Sequence, residues 1–293
     1  MSEAGTAPVD KSRELKLRIA SAVVIAPVVL AITWWGGLPF AGLVVVAAVL
    51  MMSEWTTIVM GPSGSRARGV QLALVGLGAA AAAFGPRFGL PSMYVVVTVI
   101  VSLGVASALA LREVRVRNLP DPARVWANWG PLYCGLPAIA LAALRDGPLG
   151  LWLIVYLFAV VWTTDIAAFF AGRAIGGPKL WERVSPKKTW SGAIGGAIGA
   201  AIAGLLVAAW VGAPHLVPVF FVSVALSIAS QAGDLFESAL KRRFGVKDSG
   251  RLIPGHGGIL DRVDGLVAAA VVAVVIAALH GGVHHPTAGL LFW

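Results

Sequence analysis

Residues 216–264 read LVPVFFVSVALSIASQAGDLFESALKRRFGVKDSGRLIPGHGGILDRVD. The stretch holds an apolar run of bilayer length, a polar stripe in its last turns, a basic loop rich in Gly and Pro, and the acids that open another apolar run. A hydrocarbon core about 30 Å thick is crossed by roughly 20 apolar residues in a helix, and 216–237 supplies that length with no charge before Asp234. Comparable runs fall at 17–35, 39–60, 70–85, 93–111, 129–144, 150–171, 192–212 and 264–280. The fold expected is all-α: a polytopic integral membrane protein of about nine transmembrane helices.

Composition agrees. Of 293 residues, 58% are hydrophobic and 13% charged, and mean hydropathy is +0.84, too apolar for an ordinary soluble domain. The formal net charge of +9 would suit nucleic acid, but the cations alternate by loop. Of the 23 Lys and Arg, all but Arg87 and Arg145 fall on one side once the spans are laid down. The bias toward cytoplasmic cations then puts the amino terminus in the cytoplasm and the carboxyl terminus outside. No soluble basic module with interleaved aromatics remains to bind nucleic acid. The single cysteine, Cys134, lies in an apolar run and closes no intrachain disulfide.

Three regions follow: a cytoplasmic tail at 1–16, a transmembrane scaffold at 17–146 and a catalytic transmembrane region at 147–293. The tail is expected to be disordered up to about Lys11, and the first span reads as an uncleaved helix. The scaffold has short loops and one acid at mid-depth, Glu54. Beyond Gly150 the character changes, with intramembrane acids, glycine-rich segments and long basic loops. At 192–199, Gly192 with Gly196 and Gly195 with Gly199 are small-xxx-small pairs suited to close helix packing. They are no phosphate loop, since the chain contains no GxxxxGK[ST].

Ser230, Gln231, Asp234, Glu237, Ser238 and Lys241 recur at three- and four-residue steps, one stripe on a helix. Asp234 precedes Lys241 by seven residues, about 10 Å at 1.5 Å per residue, so it lies below the basic rim and needs a partner. Asp261 and Asp264, one turn apart, open the last span. Carboxylates from two helix ends joined by a short loop can converge on a divalent ion. Oxygen ligands without CxxC or HExxH favour Mg²⁺, which takes one or two carboxylates plus substrate phosphates. The loop adds Lys241, Arg242, Lys247, Asp248, Arg251, His256 and Arg262; His256 either caps the following helix or meets a phosphate or proton. A second basic site follows Asp165: Lys187, Lys188 and Thr189 stand where a helix amino terminus begins, a natural anion site that Thr189 and Ser191 can complete.

These residues resemble the signature of the phosphatidate cytidylyltransferases, or CDP-diacylglycerol synthases. Ser238-Ala-Leu-Lys241-Arg242, Lys247-Asp248-Ser249-Gly250 and His256-Gly-Gly-Ile-Leu-Asp261-Arg262-Val-Asp264 agree with it in type and spacing. The resemblance spans roughly 150–270, with Phe169 where the family often has Tyr and Ser191 where it often has Glu. It implies cytidylyl transfer from CTP to phosphatidate, yielding CDP-diacylglycerol and pyrophosphate for phospholipid synthesis. It also implies Mg²⁺, with a second cation allowed, held by Asp234 and Asp261. The catalytic set is then Asp234, Asp261, Lys241 and His256. Substrate would be bound by Asp165, Lys187, Lys188, Thr189, Ser238, Arg242, Lys247, Asp248, Arg251, Arg262 and Asp264. The setting expected is a bacterial-type plasma membrane with the site facing the cytoplasm, the bilayer as partner and a homodimer as a compatible assembly.

Two other classes remain. A CTP-dependent lipid kinase would release CDP instead of pyrophosphate. A transporter would carry interrupted helices in both halves, whereas the polar features here sit in one.

Overall fold

The computed structural model describes residues 11–62, 64–147, 149–281 and 289–293, with side chains from Ala20 onward, Ala22 excepted. The tail at 1–10, and with it the expected disorder, lies outside the described residues. Among the described residues, nine α-helices follow the nine apolar runs in order: α1 (Lys11–Trp35), α2 (Gly37–Met60), α3 (Arg66–Phe84), α4 (Ser92–Val116), α5 (Asp121–Arg145), α6 (Gly150–Ile175), α7 (Trp190–Val211), α8 (Leu216–Arg243) and α9 (Leu260–Gly281). Among the described residues, seven are long and apolar enough to cross a membrane, so the chain is an all-α polytopic membrane protein. The two that fall short are α1, whose apolar part is Val23–Trp35, and α5. Helix α5 opens on Asp121-Pro122-Ala123-Arg124, then carries Asn128, Pro131 and Pro137.

One element departs from the all-α expectation. Lys179–Trp181 (β1) and Ser185–Thr189 (β2) pair antiparallel, with Lys179 opposite Thr189 and Trp181 opposite Ser185. Val184 is buried at the turn and its N–H donates to the Trp181 carbonyl at 3.2 Å. The hairpin ends directly on α7, whose first turn Thr189 caps by accepting from the Gly192 N–H at 3.1 Å.

Small residues set the helix spacing. In lipid no hydrophobic force draws helices together, so close backbone approach supplies the packing. A Cβ on Gly192 or Gly196 would stand 2.9 Å from the carbonyl oxygens of Ala168 and Thr164, which seats α7 directly on α6. Helices α8 and α9 meet through a reciprocal pair: a Cβ on Gly233 would lie 2.5 Å from the Asp264 carbonyl oxygen, and one on Gly265 would strike Ser230 Oγ. The amino-terminal helices join this unit through a cluster of rings. Trp55 of α2, Trp126 and Tyr133 of α5, and Phe236 of α8 have centroids 5.0–6.3 Å apart, and Trp55 Nε1 donates to the Trp126 carbonyl at 2.9 Å.

Candidate active site

The Gly233–Gly265 crossing brings Asp234 and Asp264, each next to one of these glycines, to adjoining backbones. Asp264 Oδ1 accepts from the Gly265 N–H at 2.8 Å. The charges of Asp234 and Asp165 act on Asp264, and Asp165 lies within electrostatic range of Asp234 and Lys188. Lys188, carried in on β2, forms an ion pair with Asp234 Oδ2, and Ser238 Oγ donates to Asp234 Oδ1 at 3.3 Å. The hairpin thus delivers its lysine to the α8 acid, 46 residues away in sequence.

The second group centres on Lys241, one turn beyond Glu237. Its Nζ lies 2.5 Å from Glu237 Oε2 and 2.7 Å from Asp261 Oδ1, with side chains 13%, 0% and 8% exposed. The three therefore form a nearly dry triad of one ammonium and two carboxylates, in which removal of Lys241 leaves buried acids without their cation. Asp261 Oδ2 accepts three further bonds, from Ser249 N–H, Ser249 Oγ and Gly258 N–H, each 2.9 Å. A Cβ on Gly257 would stand 2.6 Å from that oxygen, and this residue sits at φ +85°, so glycine is required twice over.

Glu54 also enters here, from α2. It is 9% exposed; Oε1 accepts from the Ile259 N–H at 2.9 Å, and Oε2 from the Leu260 N–H at 2.9 Å and Ser249 Oγ at 3.0 Å. One hydroxyl proton of Ser249 thus serves two carboxylates, Glu54 and Asp261.

Outside these groups, the loop between α8 and α9 shapes an open cavity of about 540 Å³ lined by Lys247, Asp248, Arg251, Arg262 and residues 253–257, His256 among them. Arg262 Nε donates to the His256 carbonyl at 3.1 Å, and His256 Nδ1 lies 2.6 Å from Ser21 Oγ of α1. His256 does not cap α9; Glu54 reaches those amides instead. Lys187 and Arg242 are exposed and make no ion pair among the described residues. Thr189 is committed to the α7 cap, and Ser191 Oγ donates to the Gly176 carbonyl.

Two residues of the site were not among the sequence candidates, Glu54 and Glu237. The polar stripe pointed to Glu237, which is i−4 from Lys241; Glu54 stood out as the one acid at mid-depth of the scaffold, but nothing local points to its partners. The donor chemistry suits a hard cation. The acids present only oxygen, and Ser230 Oγ and Glu237 Oε1 are buried without a hydrogen-bond partner among the described residues. No group of three or more acidic, His or Cys side chains among those residues makes a ready-made cage. One or two carboxylates completed by phosphates and water is the Mg²⁺ pattern.

Helical membrane architecture with paired lysines and acids at its rim defines a membrane-embedded phosphate-handling enzyme, and the chain belongs to the cytidylyltransferase family, whose sequence model matches residues 16–280. It is 43% identical over 280 residues to the phosphatidate cytidylyltransferase of Brucella suis biovar 1 (strain 1330), covering 94% of this chain and 97% of that one. The enzyme of the same name from Brucella melitensis biotype 1 (strain ATCC 23456) matches to the same extent. That of Staphylococcus haemolyticus (strain JCSC1435) is 47% identical over 133 residues, 45% of this chain and 50% of that one.

Proposed function

We infer that the chain is a phosphatidate cytidylyltransferase, converting CTP and phosphatidate to CDP-diacylglycerol and pyrophosphate. The observation that carries this is the folding of its 238–264 segment onto itself, Lys241 against Asp261 at 2.7 Å, in a chain similar along 94% of its length to enzymes of that name. A phosphatidate phosphate oxygen attacks the α-phosphorus of CTP in line. A P–O–P bond to the lipid forms, the bond to the β-phosphate bridging oxygen breaks, and pyrophosphate leaves with the electron pair. The attacking oxygen is already ionised, so no enzyme nucleophile or base is needed; positioning and charge neutralisation are the work of the site.

Lys188 and Lys241 enter this work held in place by carboxylates, while Lys247 and Arg251 line the loop cavity that suits a polyphosphate. A Mg²⁺ ion held by Asp234 and Asp261, with Asp264 beside Asp234, would supply charge neutralisation to the transferred and leaving phosphates. The cation distribution supports a cytoplasm-facing site in a bacterial-type plasma membrane. The test is purified protein with phosphatidate in mixed micelles and CTP labelled at the α-phosphate. Label in the lipid fraction with stoichiometric pyrophosphate is expected; release of labelled CDP would establish the lipid-kinase alternative.

A further inference from the structure

Glu54 is a buried acid of the amino-terminal helices, yet among the described residues the three hydrogen bonds to its carboxylate come from Ser249, Ile259 and Leu260. Ile259 and Leu260 open α9, where backbone N–H groups have no partner within their own helix, and the same helix end favours negative charge. A carboxylate from α2 therefore does for α9 what a local capping side chain does elsewhere. The loop is shaped to admit it. A Cβ on Gly250 would stand 2.8 Å from Glu54 Oε1, and one on Gly258 would collide with both Ser249 Oγ and Glu54 Oε2. The next residue after Leu260 is Asp261, whose Oδ2 is gripped by the same Ser249.

We propose that Glu54 is a positioning residue for cytidylyl transfer: it pins the start of α9 and Ser249 to α2, and thereby sets where Asp261 and Lys241 stand. This rests on the cytidylyltransferase reading. Glutamine at 54 offers one oxygen to three donors and turns an NH₂ against the others. Residues that orient a working group from behind typically account for about 10- to 100-fold in activity, so E54Q should lower kcat by that range. The KM for CTP should change less than kcat, because Lys188 and Lys247 lie outside the pinned segment 249–260.

The experiment measures wild type and E54Q in detergent, for turnover and for amide hydrogen exchange. Support is the kcat loss with faster exchange confined to 249–260 and unchanged exchange in α6 and α7. Full activity in E54Q, a kcat loss with unaltered exchange at 259–260, or faster exchange throughout the protein would overturn the proposal. Should E54Q fail to purify, Gly250→Ala takes its place. Its φ is open to alanine, the three atoms nearest its new methyl all belong to Glu54, and the same pattern is expected. An inactive wild type would defeat the cytidylyltransferase reading and the positioning role together, while the exchange data would still decide whether Glu54 anchors the loop.

Discussion

Lys241→Ala tests the ion triad most directly. Glu237 is fully buried, and Lys241 is its one charge partner within 4.0 Å among the described residues. Asp261 keeps three other donors when Lys241 is removed, so the penalty falls mainly on Glu237. Stripping one partner from a buried pair costs about 3–5 kcal/mol, and the surviving bonds to Asp261 place K241A at the lower end, about 3 kcal/mol. At about 2 °C per kcal/mol for a chain of this size, the unfolding midpoint should drop by about 6 °C. Adding Glu237→Gln removes the stranded charge at nearly constant shape, so K241A/E237Q should recover most of that drop while remaining inactive, because the Lys241 ammonium is still missing. Thermal unfolding in a single detergent, followed by tryptophan fluorescence, reads the first effect and CTP turnover the second. If K241A unfolds at the wild-type temperature, or the double variant is less stable than K241A, Lys241 is not the partner that keeps Glu237 buried.

Lys188→Ala should raise the KM for CTP at least severalfold and that for phosphatidate little, in initial-rate measurements varying each substrate. An unchanged CTP dependence removes Lys188 from nucleotide binding. Gly233→Ala forces a methyl against the Asp264 carbonyl and should cost about 1–3 kcal/mol of stability along with most activity; a fully active, equally stable variant would show that the crossing tolerates separation. Chelation should abolish turnover, and Mg²⁺ should restore it better than Zn²⁺, since the acids present oxygen ligands only. Activity that survives exhaustive chelation would remove the metal from the mechanism.

The parts legible in the sequence are those whose chemistry is local. Sparse charges in an apolar chain made Asp234, Lys241 and Asp261 conspicuous, and helical spacing placed the first two on one face, where they stand. The glycine pairs of α7 read correctly because the i, i+4 period is itself the packing rule. The hairpin at 179–189 was invisible: two strands of three and five residues, KLW and SPKKT, are too short and too polar to show alternation. Glu54 escaped because its partners lie 195–206 residues away, and no periodicity links them. Of the two readings of His256, the cap fails because a carboxylate arriving from α2 satisfies those amides; the imidazole instead meets Ser21 beside the loop cavity. The fifth run, 129–144, forms the second part of α5; the helix starts earlier, at Asp121, and that added stretch brings Trp126 to stand with Tyr133 against Trp55 and Phe236.

Where α8 and α9 cross, main chain touches main chain, and the aspartate following Gly233 and the one preceding Gly265 ride on that contact. Their separation is consequently governed by hard atomic radii and not by rotamer choice. A thicker or thinner bilayer can tilt both rods, but it carries the two acids along as a single piece, so the gap between them should be indifferent to the lipid in which the enzyme is reconstituted.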